Sequence, residues 1–157
     1  AYIEKPFSKE HLLAQIASLL ANRNMIRDFF SSSPLVHIKS MAHSKADERF
    51  LEALNETIFK NMEDTDLDVE KLAKIMNMSR ITLYRKIKAI SNLTPVELIN
   101  ITRLKKAAEL LAEGDNKIYE IAYMAGFSSQ SNFSRNFLKQ FNMTPTEYMH
   151  KKQGEAG

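Results

Sequence analysis

The sequence has no cysteine and no tryptophan, and only four glycines and four prolines among its 157 residues. Because cysteine is missing, the chain can form neither a disulfide framework nor a thiolate site, which agrees with a reducing compartment. No apolar run approaches the roughly 20 residues that cross a bilayer, and the N-terminus lacks a secretory signal pattern. We therefore expect a cytoplasmic chain without membrane contact of its own. Since it does not begin with Met, we also expect it to be part of a longer protein.

Catalytic and metal-binding motifs are missing as well. The four histidines, at positions 11, 37, 43 and 150, are scattered without metal-ligand spacing. The chain has neither a Gly-rich phosphate loop nor a nucleophile motif. The sequence thus predicts a protein that is not an enzyme and that needs no cofactor or metal.

The scarcity of glycine and proline, together with the shortness of the β-branched runs, predicts an all-α fold. Residues 8–21 form the first predicted helix, with Ser8 as its N-cap and leucine and isoleucine at helical spacing. Residues 22–47 show no sustained period and contain SSSP, so we expect a connector holding only short helical pieces. Asp47 then caps a helix that runs to about residue 61.

A repeat occupies the second half of the chain. NLTPVE at residues 92–97 returns as NMTPTE at residues 142–147. Upstream of this motif the two copies align with a shift of 49 and, after one inserted residue, of 50. Helical solenoids normally need about three copies or more. The chain therefore contains two related units rather than an array.

Each copy has the pattern of a short helix, a tight turn and a second helix. The turns fall at Asn77 and Gly126, because Asn and Gly are the residues that most easily adopt a positive φ. Ser79 and Ser128 open the second helices. This is the pattern of a helix-turn-helix unit, whose second helix enters the major groove of DNA.

The repeated motif ends one helix and starts the next. Asn92 and Asn142 can adopt the left-handed conformation that terminates a helix. Thr94 and Thr144 then cap the following helix, with Pro at its first position and Glu completing a capping box. After the first copy this helix covers residues 95–113 and joins the two units. The alternative is a contact between these helix starts and a phosphate. We favour the structural role.

Charge is distributed unevenly along the chain. Residues 1–68 hold 8 basic and 11 acidic residues, whereas residues 69–152 hold 14 basic and 7 acidic residues. Two windows around the presumed recognition helices, residues 71–96 and 121–146, contain no acidic residue. A solvated helix usually mixes both signs, whereas phosphates repel carboxylates. The pattern favours a DNA-binding surface over a merely basic one.

Two such units joined by one long helix resemble the DNA-binding domain of the AraC/XylS family of transcription regulators. RLKKAAELL at residues 103–111 looks like the family's linker helix, and IYEIAYMAGFSSQSNFSRNFLKQFNMTPTEY at residues 118–148 resembles its C-terminal signature. The resemblance implies an activator that binds double-stranded DNA and acts with the transcription machinery. The implied domain covers residues 47–152, with the first unit at about 68–91, the linker helix at about 95–113, the second unit at about 117–141, and a tail at 153–157.

The N-terminus, AYIEKPFSKEHLLAQIASLL, looks like the last strand and helix of a response-regulator receiver domain. In that family the lysine of the Lys5-Pro6 pair contacts a phosphoryl group, but the phosphoaccepting aspartate is not in this chain. The resemblance implies a receiver remnant at residues 1–21 and a linker at residues 22–46. Both resemblances together imply the effector part of a hybrid two-component phosphorelay regulator of the Bacteroidetes kind. Its full-length parent would be a histidine kinase, anchored in the inner membrane.

Side-chain chemistry and the resemblance together give the candidate DNA contacts. On the first recognition helix, Arg85 can bind a guanine edge, Ile81 a thymine methyl group, and Tyr84 either a base or a phosphate. The residues of the second helix that match the family's base-reading positions are Gln130, Ser131, Asn132 and Arg135. The candidate phosphate contacts are Arg80, Lys86, Lys88, Thr94, Lys139 and Thr144. For Arg85 and Arg135 the competing explanation is a structural ion pair.

An interaction module is the alternative function. The leucine and isoleucine stripe within residues 12–20 would be exposed without its receiver and could pair two chains into a homodimer. It could instead fold back on the connector. RNA binding is disfavoured because the aromatic platforms that it uses are missing. A steep salt dependence of complex formation would favour DNA binding over protein pairing.

Overall fold

The computed structural model of the chain describes residues 8–156. Within that part the chain is all-helical, as predicted, with no strand. The elements are α1 (Lys9–Ser32), a 3-10 turn (Ile38–Met41), α2 (Lys45–Lys60), α3 (Val69–Ile75), α4 (Arg80–Ser91), α5 (Pro95–Glu113), α6 (Ile118–Met124), α7 (Gln130–Phe141) and α8 (Pro145–Ala156). Lys5 and Pro6, which carry the resemblance to a receiver's last strand, lie outside the described residues.

Two helix pairs, α3–α4 and α6–α7, form the predicted helix-turn-helix units. In the first turn Asn77 adopts a φ of 55°, and in the second Gly126 adopts a φ of 87°. Ser79 caps α4 and Ser129 caps α7, each side chain accepting a hydrogen bond from an amide of the first helical turn. The prediction that Ser128 opens α7 was wrong by one residue, because the residue inserted in the second copy lengthens the turn.

Helix α5 joins the two units and has the predicted bounds. Its capping box is complete: Thr94 Oγ1 accepts a hydrogen bond from the Glu97 amide at 3.2 Å, and Glu97 Oε1 accepts one from the Thr94 amide at 3.1 Å. Asn92 ends α4 with a φ of 55° and Asn142 ends α7 with a φ of 60°. Both copies of the repeated motif therefore do the predicted work of stopping one helix and starting another.

The buried apolar side chains fall into two cores that meet along α5. The first core lies under the first unit and combines side chains of α2, α3 and α4 with Phe30 of α1. The second core lies under the second unit and combines side chains of α6, α7 and α8. Helix α5 contributes Leu98 and Ile101 to the first core and Leu104 and Leu111 to the second. The linker helix is thus an integral part of both units.

Helix α1 is longer than predicted. It continues past residue 21 as far as Ser32, so the first part of the expected connector is helical. Phe30 is buried in the first core and Ile26 packs against it, a long-range contact that the periodicity of the sequence does not reveal. The expected boundary between a receiver remnant and a linker, at residues 21 and 22, therefore falls inside one continuous helix.

Two further helix ends differ from the predictions. Helix α2 is capped by Ser44 rather than Asp47. The Ser44 hydroxyl accepts a hydrogen bond from the Asp47 amide at 3.1 Å, and the Asp47 carboxylate accepts one from the His43 amide at 3.1 Å. Asp47 thus stabilises the helix start from inside the first turn. At the other end of the chain, α8 extends to Ala156, so the predicted tail from residue 153 is largely helical.

Candidate nucleic-acid interface

Helix α4 has one buried face and one exposed face. Leu83 and Ile87 are fully buried, as predicted, and they anchor the helix on the first core. On the other side Ile81 and Tyr84 are 65% and 45% exposed, and Arg85 is exposed. Residues three and four apart share one face of a helix. The structure therefore brings the three candidate base-reading side chains of the first unit together, in one shallow surface depression.

Helix α7 is divided in the same way. Phe133 and Phe137 are fully buried, and their rings pack edge to face with centroids 5.7 Å apart. This aromatic packing fixes the rotation of α7 about its own axis. It leaves three of the four candidate base-reading side chains exposed, namely Gln130, Ser131 and Arg135.

The fourth candidate of the second unit, Asn132, is only partly exposed. Its Oδ1 atom accepts a hydrogen bond from Asn136 Nδ2 at 2.9 Å. The same Asn136 nitrogen also donates to the Asn132 backbone carbonyl at 2.8 Å. A base that needs the Asn132 oxygen would have to replace this internal hydrogen bond.

The two arginines at the centre of the recognition faces are available for DNA. Among residues 8–155, neither Arg85 nor Arg135 forms an ion pair with an acidic side chain. The competing explanation, a structural ion pair within the chain, is therefore not found in the described part. A free guanidinium group retains all five donors for a bidentate contact with guanine.

Two of the candidate phosphate contacts have partners in the protein. The Arg80 guanidinium lies 3.3 Å from the Glu70 carboxylate, with the two side chains 64% and 66% exposed. An ion pair so open to water contributes little and can exchange its partner for a phosphate. The Lys86 ammonium lies 5.2 Å from the centroid of the Phe50 ring, which holds it beside α2 and at the surface.

The remaining candidates lie at helix ends. Lys88 and Lys139 are exposed in the last turns of α4 and α7, where the helix dipole also favours a cation. Thr94 and Thr144 serve as caps, as predicted: the Thr144 hydroxyl accepts from the Glu147 amide at 3.1 Å. Phosphate contacts by these two threonines stay a prediction.

Sequence reasoning missed the buried Lys105 of α5. Its Nζ atom donates hydrogen bonds to the carbonyl oxygens of Phe30, Ser33 and Val36, at 2.5, 2.6 and 2.8 Å. It also lies 4.1 Å from the centroid of the Phe30 ring. Burial lowers the pKa of Lys105 to about 7, whereas three carbonyl acceptors favour the charged form. The only signal in the sequence is a lysine on the apolar face of a helix.

Within residues 8–156, no His, Asp and Glu side chains are grouped so that they could hold a metal ion. None of the helices there combines the length and the apolar character needed to cross a bilayer.

Comparison with known proteins agrees with this geometry. The family described as "Helix-turn-helix domain" matches residues 72–151. Histidine kinase P4 of Formosa agariphila is 36% identical over 150 residues, which cover 96% of this chain but 11% of that protein. The C-terminal domain of AraT, a response regulator from Geobacillus stearothermophilus, superposes with a TM-score of 0.58 at 31% identity, covering 69% of this chain and 86% of that one. The DNA-binding domain of AdpA, a global transcriptional factor solved with a target DNA, gives 0.57 at 26% identity, covering 65% and 94%.

The chain belongs to the helix-turn-helix domain family. Within that family it is of the AraC type, with two units on a shared linker helix, as the resemblance implied. It spans 11% of the length of Histidine kinase P4 and 42% of the length of the transcriptional regulator MtrA from Neisseria gonorrhoeae, to which it is 28% identical.

Proposed function

We propose that this chain is the sequence-specific DNA-binding part of a transcription regulator and that it reads two successive major-groove segments. One arrangement supports the proposal most. Two helix-turn-helix units share a single linker helix, and neither α4 nor α7 contains an acidic residue. Because phosphates repel carboxylates, an acid-free face on both recognition helices favours DNA binding. The likeness to AdpA, which was solved with its target DNA, gives further support.

The parent protein is proposed to be a two-component regulator. The 36% identity with Histidine kinase P4 extends over 150 residues and so includes α1 and α2, upstream of the first unit. AraT, the structural relative, is itself a response regulator. We infer that the chain is the effector end of a phosphorelay protein and acts with the transcription machinery. Kinase activity and an anchor in the inner membrane would belong to the parent.

The two recognition helices divide the contacts with DNA between base edges and phosphates. Arg85 and Arg135 would each bind a guanine, and the apolar Ile81 would contact a thymine methyl group. The other base-reading side chains are Tyr84, Gln130, Ser131 and Asn132. The proposed phosphate contacts, which set affinity and not sequence, are Arg80, Lys86, Lys88, Thr94, Lys139 and Thr144.

Selection from a random duplex library at moderate salt would test the proposed function. We expect a bipartite motif whose two elements lie one helical turn apart, about 10 base pairs. The double variant Arg85→Ala/Arg135→Ala serves as the control: it should still bind duplexes at low salt but select a motif that has lost its preference at two base positions, one in each element. Salt-sensitive binding by the unchanged chain without any enriched motif would overturn the assignment of the base-reading residues.

Pairing of chains through α1 is a second candidate function, favoured by one observation. Leu13, Ile16, Leu19 and Leu20 are between 45% and 64% exposed, so the stripe does not fold back on the connector. Its spacing of three and four residues is that of a coiled-coil seam. We propose that two copies of the chain pair along this stripe. Sedimentation equilibrium should show a dimer that Ile16→Ser/Leu20→Ser weakens; a monomer at all concentrations would contradict the pairing.

A further inference from the structure

The C-terminal half of α1 contacts the end of the first recognition helix. The Arg23 guanidinium donates a hydrogen bond to the Ala89 carbonyl oxygen. Asn24 Oδ1 accepts a hydrogen bond from Asn92 Nδ2 at 2.9 Å. Ala89 lies in the last turn of α4, and Asn92 is the residue that ends it. Both contacts therefore lie at the C-terminal end of α4.

The same helix contacts the end of the second recognition helix. Gln140 Nε2 donates a hydrogen bond to the Ser31 carbonyl oxygen at 2.7 Å, and Gln140 is the last residue but one of α7. Residues 23 and 31 of α1 are about 12 Å apart along the helix axis, at 1.5 Å per residue. One continuous helix thus connects the C-terminal ends of both recognition helices.

The end of α1 is also fixed to the linker helix. Lys105 donates to the three carbonyl oxygens at the C-terminus of α1 and in the segment after it. It follows directly after Leu104 of the second core, and Ile101 of the first core lies one turn earlier. Lys105 therefore fixes the end of α1 at the place where the two cores meet. Hydrogen bonds from an ammonium group are among the stronger ones, and the one to Phe30 satisfies a carbonyl in the last turn of α1, which the helix end leaves without an intrahelical partner.

From these contacts we propose that the C-terminal half of α1 is a strap that sets the distance between the two recognition helices, and thereby the spacing of the two DNA elements that the chain selects. The residues that determine this spacing are Arg23, Asn24, Lys105 and Gln140, none of which is among the proposed base-reading residues. Two other parts of the chain also connect the units: the linker helix α5, which can bend as long helices do, and the end of α2, where Phe59 and Met62 pack against the second core. The strap adds a connection between the C-terminal ends of the two recognition helices themselves. This role in spacing depends on the proposed DNA binding.

The distance between the units can be measured without DNA. The chain has no cysteine, so Lys74→Cys and Tyr119→Cys place one spin label on α3 and one on α6, at exposed positions outside the proposed DNA contacts. Pulsed electron-electron double resonance then gives the distribution of distances between the two labels. We expect a narrow distribution that broadens or shifts in Gln140→Ala and in Lys105→Met.

The matched control for the strap is Ser32→Ala, whose hydroxyl donates to the Asp28 carbonyl within α1 itself. It should leave the distance distribution unchanged. If Lys105→Met fails to fold, Gln140→Ala decides alone, because it removes one hydrogen bond at a partly exposed position. An unchanged distribution in folded Gln140→Ala would overturn the strap.

The effect on DNA is measured with the selected bipartite site and a series of duplexes whose spacer is one base pair shorter or longer. The unchanged chain should prefer one spacer. In Gln140→Ala that preference should fall by about 2- to 30-fold, while affinity for each isolated element stays the same. An equal loss of affinity at every spacer, or an unchanged preference, would overturn the role in spacing. A failure of the unchanged chain to select any bipartite site would instead refute the proposed function, and the label distances would still decide whether the strap holds the units together.

Discussion

At the scale of single residues, Gly126 and Asn77 occupy the same place in the two turns but have different surroundings. A Cβ atom at Gly126 would clash with the Met62 carbonyl oxygen and would lie 3.0 Å from Arg103 Nε. At a φ of 87°, any side chain there also adds left-handed strain. We expect Gly126→Ala to lower the free energy of unfolding by about 2–5 kcal/mol. Asn77→Gly, at an exposed turn, should change it by less than about 0.5 kcal/mol. Urea unfolding followed by circular dichroism measures both, and equal effects would contradict this explanation.

The two free arginines give a second prediction at this scale. Arg85→Ala and Arg135→Ala should each weaken binding to the selected site by about 1–3 kcal/mol and relax the preference at one base position. The reason is that a bidentate guanine contact carries sequence information, whereas a phosphate contact does not. Arg49→Ala, on the exposed surface of α2, is the control and should leave the motif unchanged. A loss that is equal for all sequences would assign the two arginines to phosphates.

At the scale of helices, most bounds in the second half of the chain were predicted more accurately than those in the first half. The bounds of α5 and the turns at Asn77 and Gly126 follow from local chemistry: left-handed residues, caps and a proline at the first helical position. The length of α1 depends instead on Phe30, which is buried among residues far along the chain. Ser44 was missed as the cap of α2 because Asp47 is an equally good cap by type, and only the structure shows which residue precedes the helix.

The capping box of α5 can be tested through stability. Thr94→Ala should lower the free energy of unfolding by about 1 kcal/mol, because the Glu97 amide loses its acceptor. Thr94→Ser keeps the hydroxyl and should retain most of that stability. Thermal unfolding of the two variants and the unchanged chain makes the comparison. Equal midpoints for all three would show that the hydroxyl does not stabilise the helix start.

The free energy of unfolding should depend on pH through His37, which lies just before the 3-10 turn that precedes α2. Its Nδ1 atom accepts a hydrogen bond from the Lys39 amide at 3.0 Å, and burial lowers its pKa below the ordinary 6.5. Above pH 6.5 both the folded and the unfolded chain carry a neutral imidazole. As the pH falls below that value, the unfolded chain binds the proton first, so the free energy of unfolding falls until His37 also protonates in the folded state.

His37→Asn is the matched control for this pH dependence, since its side-chain oxygen can accept the same hydrogen bond without titrating. Urea unfolding between about pH 5 and 7.5 should give a flatter dependence for His37→Asn than for the unchanged chain. Parallel curves would remove His37 as the titrating group.

At the scale of the whole molecule, the sequence indicated the class of surface but not how the units are held. The DNA-binding surface, with Arg85 and Arg135 exposed on it, could be predicted from the two acid-free windows. DNA phosphates repel carboxylates, so a DNA-binding surface leaves a visible trace in the amino-acid composition. The contacts of Lys105 and Gln140 with α1 join residues 75 and 109 positions apart in the chain. Contacts over such separations leave no periodic signal in the sequence, so the strap could be found only in the folded chain.

The uneven charge of the molecule leads to the last prediction. Residues 1–68 carry three more acidic than basic residues, and residues 69–152 carry seven more basic than acidic ones. We therefore expect only the DNA-binding half to displace counterions from the DNA. Lys86→Ala should weaken binding to all sequences alike and reduce the slope of log K against log salt by about 1, since it removes one of the proposed phosphate contacts. Lys9→Ala, on the exposed start of α1, removes the same charge and should leave the slope unchanged.

Because the Lys86 ammonium also packs on the Phe50 ring, Lys86→Ala should cost about 0.5–1 kcal/mol of folding stability as well. Binding is therefore measured at temperatures where both variants are folded. If the Lys9 and Lys86 variants lowered the slope equally, the DNA would respond to the net charge of the whole molecule rather than to the placed cations of α4.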